Sequence, residues 1–145
     1  MFLGKWNPPV MSHRCLLLAD AHLNMLDAVH GLLATRFATT VMVADETSLL
    51  EAVARIDPDL VVVDLSLSVS GGVNIVRNLV SQHPKFEVIV LSVHDEPAAA
   101  SQILAAGAAG FVLKRTAAVD LIPAVDAVLQ GETYVSPALG PQTAG

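Results

Sequence analysis

A chain of 145 residues has the length of one domain with a proper hydrophobic core. Its 53% hydrophobic but only 4% aromatic content builds that core from Ala, Val, Leu and Ile, the residues of buried parallel strands and their covering helices. A net charge of −6, with eight Lys and Arg spread along the chain and no basic stripe, argues against a nucleic-acid-binding face. No apolar run reaches the ~18 residues of a membrane span, since Ile103–Leu113 is broken by Gly107 and Gly110.

Residues 1–12 (MFLGKWNPPVMS) hold a Pro-Pro pair and lack the apolar core of a signal peptide, so they read as an N-terminal extension. The folded domain is expected over 13–133. The small, Pro/Gly-rich, uncharged stretch 134–145 reads as a linker stub. The lone Cys15, beside a run of leucines, rules out an internal disulfide and fits a reducing, cytoplasmic compartment. It is expected to act as a small buried hydrophobe.

Short apolar runs without polar alternation appear at Cys15–Ala19, Thr40–Ala44, Leu60–Val63, Val88–Leu91 and Gly110–Leu113, the pattern of strands covered on both faces. Helical stripes lie between them. The first joins Leu26, Val29, Leu33 and Phe37. The second joins Leu49, Leu50, Val53 and Ile56, entered by Ser48-Leu-Leu-Glu51 at capping-box spacing and ended by Asp57-Pro58. The third covers Val73–Val80. The fourth starts near Pro97 and ends at Gly107, and the fifth runs from about Ala118 to Gln130, with Pro123 expected near its first turn. Five strands alternating with five helices predict an α/β fold, a doubly wound parallel sheet with right-handed crossovers. Its working site belongs at the carboxyl ends of the strands, near the point where strand order reverses.

Four of the runs end on a polar residue at that edge: CLLLA on Asp20, LVVV on Asp64, VIVL on Ser92 and GFVL on Lys114. Alone, each such residue has an ordinary role as a cap or a solvated charge. Together they suit one chemistry. A carboxylate can attack a phosphoryl group, a divalent cation and an ammonium can offset its charge, and a hydroxyl can donate to a further oxygen. No dinucleotide fingerprint, P-loop, Cys/His cluster or nucleophile elbow competes.

The stretches LLADAH, DPDLVVVDLS, VIVLSVHD, AAGAAGFVLK and GETYVSP resemble the receiver domains of bacterial two-component response regulators, closest to the NarL/FixJ (LuxR-type) group, over Arg14–Pro137. The resemblance implies a flavodoxin-like, five-stranded receiver fold with strand order 2-1-3-4-5. It implies Asp64 as phosphoacceptor, and Mg²⁺ held by Asp20, Asp64 and the backbone carbonyl of Ser66. Ser92 would be the switch hydroxyl, Lys114 the phosphoryl-binding lysine and Phe111 the switch aromatic, the alternative for Phe111 being core packing alone. It further implies a sensor histidine kinase as partner, a homodimer, transcription control through a DNA-binding output domain absent from this chain, and no enzyme activity beyond self-phosphorylation and self-dephosphorylation.

Two departures stand out. The family's second acid after the first strand is Ala21 here, which weakens the expected metal site. The family pattern Met-Pro-Gly-Met-Asp-Gly is replaced by Leu67-Ser-Val-Ser-Gly-Gly72, keeping only its last glycine. These leave open a receiver-like interaction module without Mg²⁺-dependent phosphorylation, and fold analogy also admits a small flavin- or nucleotide-binding enzyme. His22 and His94 lie in loops near the site, and neither is expected to be a ligand. Asp95 and Glu96 are read as acids favoured by a helix N-terminus.

Overall fold

The computed structural model describes residues 14–68, 72–82 and 86–139. The expected N-terminal extension lies outside them. The elements run β1 (Cys15–Ala19), α1 (Leu23–Leu33), β2 (Thr39–Val43), α2 (Glu46–Arg55), β3 (Leu60–Asp64), α3 (Gly72–Gln82), β4 (Glu87–Ser92), α4 (Pro97–Ala105), β5 (Gly110–Leu113), α5 (Ala117–Leu129) and β6 (Tyr134–Val135). Short 3-10 turns follow β3, β5 and β6 at Leu65–Leu67, Lys114–Thr116 and Pro137–Leu139.

All strand pairs are parallel, in the order β2-β1-β3-β4-β5-β6. The lack of polar alternation has its cause in two cores. Leu16, Leu18, Leu60, Val62, Ile89, Leu91 and Val112 face Leu26, Val29 and Leu33 of α1 and Leu121, Val125 and Val128 of α5. Their neighbours Leu17, Ala19, Val61, Val63, Val88, Val90 and Phe111 face α2, α3 and α4, including Leu49, Val53, Ile75, Leu79 and Ile103. Because successive strand side chains point to opposite faces, a strand buried on both sides must be apolar throughout. Among the described residues no helix is long and apolar enough to cross a membrane.

Four details correct the sequence reading. The cap of α2 is Asp45, whose Oδ1 accepts from the Ser48 amide at 2.7 Å, so Ser48 already lies in the first turn. Pro123 sits well inside α5, beyond its first turn. It is tolerated because both it and Val119, whose carbonyl loses the helical bond, face solvent. Most importantly, the sheet continues past position 133. Gly131, at φ +89°, makes a left-handed turn that favours glycine and sends the chain back along β5. There Gly110 pairs with Tyr134 and Phe111 with Val135. Residues 134–139, read as linker, therefore belong to the fold, and Leu139 is buried in the α2/α3/α4-side core. Cys15 is half-buried rather than buried, and burial together with the nearby Asp59 pushes its thiol up, keeping it protonated.

Candidate functional site

The order reversal falls at β1, whose neighbours β2 and β3 lie on opposite sides. The parallel register then sets the polar residues side by side. Ala19 pairs with Val63, so Asp20 and Asp64 leave adjacent strands at the same level. Asp64 pairs with Leu91 and Ser92 with Leu113, so Ser92 and Lys114 each stand one residue further out. The four residues singled out from the sequence thus share one sheet edge.

Asp64 is 1% exposed. Its Oδ2 accepts from Lys114 Nζ at 2.8 Å and from Ser66 Oγ at 2.6 Å, and its Oδ1 accepts from the Ser66 amide at 3.1 Å. Burial by itself pushes this carboxyl up. The hydrogen bonds from Lys114 and Ser66, with the charge of the ammonium, outweigh it and hold the group below the usual carboxylate range. Lys114 shows the converse balance. Burial lowers it, but the hydrogen bonds and charges of Asp64 and Asp20 win and raise it. The pair is therefore ionised at neutral pH.

Asp20, 2% exposed, lies on the other side of the same ammonium. Its buried Oδ2 pairs with Lys114 Nζ at 3.0 Å. Its Oδ1 accepts from the backbone amide of His22 at 2.8 Å and lies 2.9 Å from the His22 ring Nδ1. That contact is absent from the sequence reading, which gave His22 no ligand role. Among the described residues, Asp20, His22 and Asp64 form the group of possible metal-ligating side chains, with ligand atoms within 4.8 Å of one another. Two buried carboxylates beside one ammonium leave an excess negative charge that fits a divalent cation.

Ser92 is fully buried at the end of β4, where its Oγ accepts from the His94 amide at 2.9 Å. An open cavity of about 170 Å³ lies at the carboxyl ends of β3 and β4 and is lined by Asp64, Ser66, Gly72, Ser92 and His94, among others. Gly72, the one glycine retained from the family pattern, has a steric role, because a Cβ there would meet Leu65 Cδ2 at 2.6 Å. Phe111 is fully buried among the core residues on the α4 side of the sheet. Asp95 and Glu96 do not replace the acid missing at position 21. Asp95 lies 3.7 Å from Arg115 and Glu96 3.9 Å from His94, all largely exposed.

A second polar cluster escaped the sequence reading. Asp120, buried in the first turn of α5, accepts from Thr116 Oγ1 at 2.6 Å, Ser136 Oγ at 2.6 Å and Tyr134 OH at 3.1 Å. Ser136 Oγ in turn accepts from the Leu113 amide at 3.0 Å. An acid four residues after Thr116 was visible in the sequence, but its partners come from a strand that only the folded sheet creates.

A doubly wound parallel sheet with two acids, a hydroxyl and a lysine at its carboxyl edge defines a flavodoxin-like α/β domain of the receiver type. The sequence matches the response regulator receiver domain family over residues 16–126, and the chain belongs to that family. It is 32% identical over 124 residues to the transcriptional regulatory protein DegU of Brevibacillus brevis, covering 84% of this chain and 52% of that protein. Over 60 residues it is 52% identical to the transcriptional regulatory protein UhpA of Salmonella typhimurium, covering 41% of this chain and 31% of that one. A LuxR-family two-component response regulator from Aurantimonas sp. superposes with a TM-score of 0.78 at 26% identity, covering 88% of this chain and 92% of that chain. The RcsB response regulator of Salmonella typhimurium superposes at 0.80 with 25% identity, covering 89% and 66%.

The chain spans about half the length of the curated relatives it matches, 52% of DegU and 44% of the response regulator GacA of Pseudomonas viridiflava. These relatives are NarL/LuxR-type regulators, as the sequence motifs implied. Receiver domains are signalling proteins rather than conventional enzymes, and they typically bind Mg²⁺ at an acidic pocket. Nothing favours the phosphorylation-independent interaction module.

Proposed function

We propose that Asp64 accepts a phosphoryl group from the phosphohistidine of a sensor histidine kinase, and that the resulting charge change switches a dimerisation or output surface in control of transcription. A carboxylate oxygen of Asp64 attacks phosphorus, the phosphorus–nitrogen bond of the donor breaks, and the departing imidazole takes up a proton. The observation that carries this reading is the ionised, hydrogen-bonded Asp64 beside a cavity of about 170 Å³ at the sheet edge.

Each neighbour has a role in it. Lys114 follows the incoming charge and pairs with a phosphoryl oxygen, since its ammonium already touches Asp64. Ser92, across the cavity, exchanges its bond with His94 for one to a second phosphoryl oxygen, and Phe111 beneath α4 follows that movement. A divalent cation such as Mg²⁺ would be held by Asp20, Asp64 and the Ser66 carbonyl, and would supply positive charge against the phosphoryl oxygens. Homodimerisation, DNA binding through an output domain reached from residues 140–145, and a cytoplasmic location extend the same reading to the whole protein.

The test is the intact mass after incubation with a small acyl phosphate donor and Mg²⁺. The natural chain gains one phosphoryl group, and Asp64→Asn gains none while keeping its circular dichroism spectrum. Persistent labelling of Asp64→Asn would overturn the assignment.

A further inference from the structure

We propose that His22 supplies a nitrogen ligand to the cation site of Asp20 and Asp64, which strengthens its binding of borderline transition-metal ions relative to Mg²⁺. The inference rests on reading the acidic pocket as a cation site and concerns which ion the pocket selects.

The local chain brings the imidazole there. Asp20 Oδ1 accepts the backbone amide of His22 at 2.8 Å, a tight turn over Ala21 whose methyl group offers no ligand. The turn carries the ring back over the carboxylates, with Nδ1 2.9 Å from Asp20 Oδ1 and 3.8 Å from Asp64 Oδ2. Two ligands about 2.1 Å from one ion lie ~3.0 Å apart at a right angle and ~4.2 Å apart when opposite, so both separations fit a single coordination shell.

Charge points the same way. Asp20 and Asp64 are both nearly sealed from water and share one ammonium, leaving an excess negative charge. The Lys114 ammonium, 3.0 Å from Asp20 Oδ2 and 2.8 Å from Asp64 Oδ2, offsets one of the two carboxylate charges, and a bound cation offsets the other. A carboxylate only accepts, so in the 2.9 Å contact His22 Nδ1–H donates to Asp20 Oδ1, and a bound cation would take the place of that proton.

The ligand set then selects the ion. Mg²⁺ requires oxygen ligands and gains little from imidazole, whereas Co²⁺, Ni²⁺ and Zn²⁺ bind imidazole well. Any carboxylate site binds these ions more tightly than Mg²⁺, so the diagnostic quantity is the selective loss on removing the ring.

Co²⁺ and Mg²⁺ are titrated calorimetrically, without phosphodonor, into the full chain and its His22→Ala variant, and the visible spectrum of bound Co²⁺ is recorded. The variant keeps the backbone bond to Asp20 and removes an exposed side chain, so the fold persists. The expected result is a Co²⁺ affinity lowered at least about 10–100-fold, Mg²⁺ affinity unchanged, and a shifted Co²⁺ absorption band. Equal effects on both ions, no effect on Co²⁺, or an unaltered band overturns the proposal. If Co²⁺ binding ignores His22 while Asp64→Asn still abolishes labelling, the phosphoacceptor reading stands and only the nitrogen ligand falls. If neither ion binds, the cation site itself falls.

Discussion

Lys114 ties two strands' acids to a third strand's end, since its ammonium lies 2.8 Å from Asp64 and 3.0 Å from Asp20. Taking it away leaves the phosphorylated Asp64 without the cation that would draw β5 toward it. Lys114→Ala is therefore expected to accept label yet lose most of the conformational response, read as amide NMR shifts at Val93–Ala100 on adding phosphodonor. A response equal to that of the natural chain would make this lysine a bystander. Ala21 concerns the metal rather than the switch. An aspartate there adds the missing oxygen ligand, so Ala21→Asp should raise Mg²⁺ affinity about 10–100-fold and speed Mg²⁺-dependent labelling. Calorimetry decides it, and an unchanged affinity would mean that the pocket already holds a full set of oxygen ligands.

At the scale of elements, the polar cluster around Asp120 fastens β6 to α5 and β5. The chain contains a single tyrosine, so absorbance at alkaline pH reports on Tyr134 alone. Burial, then the charge and hydrogen bond of Asp120, push its phenol up. Such a group contributes stability that is complete below the unfolded value of about 10 and is lost as pH climbs through the raised folded value. The titration midpoint should accordingly exceed about 10 and fall back toward it in Asp120→Asn. Asp120→Ala strips three donors of their acceptor and should cost about 2–3 kcal/mol in urea unfolding. A normal midpoint in the natural chain would show that β6 detaches in solution.

For the molecule as a whole, charge governs the encounter with nucleic acid. The net charge is −6, and Lys114, Arg36 and Arg115 are already engaged by Asp64, Asp126 and Asp95. With eight basic against fourteen acidic residues, the chain offers the phosphate backbone little counterion-release gain. This chain should leave the fluorescence anisotropy of a labelled duplex unchanged at ~0.15 M salt. Binding there would contradict the assignment of DNA contacts to a separate output domain.

What the sequence determined by itself was everything carried by local periodicity. Five strands were legible from their apolar runs, four of them because a strand covered on both faces must be apolar throughout, whereas β2, expected to be covered too, is a half-exposed edge. Asp20, Asp64, Ser92 and Lys114 stood out because each ends a buried run. Register and side-chain approach were decided only in three dimensions. Spacing pointed to Ser48 as a helix cap, whereas the folded backbone places Asp45 there. The stretch after Gly131 looked like linker because its Tyr134 and Ser136 find their partner, Asp120, only when β5 offers an open edge. His22 looked like an ordinary loop residue because nothing in its spacing records the turn at Asp20 that brings its ring between two buried carboxylates from different strands. Local pattern reports which face of an element is buried, whereas contacts between residues far apart in the chain depend on a register that no local pattern encodes.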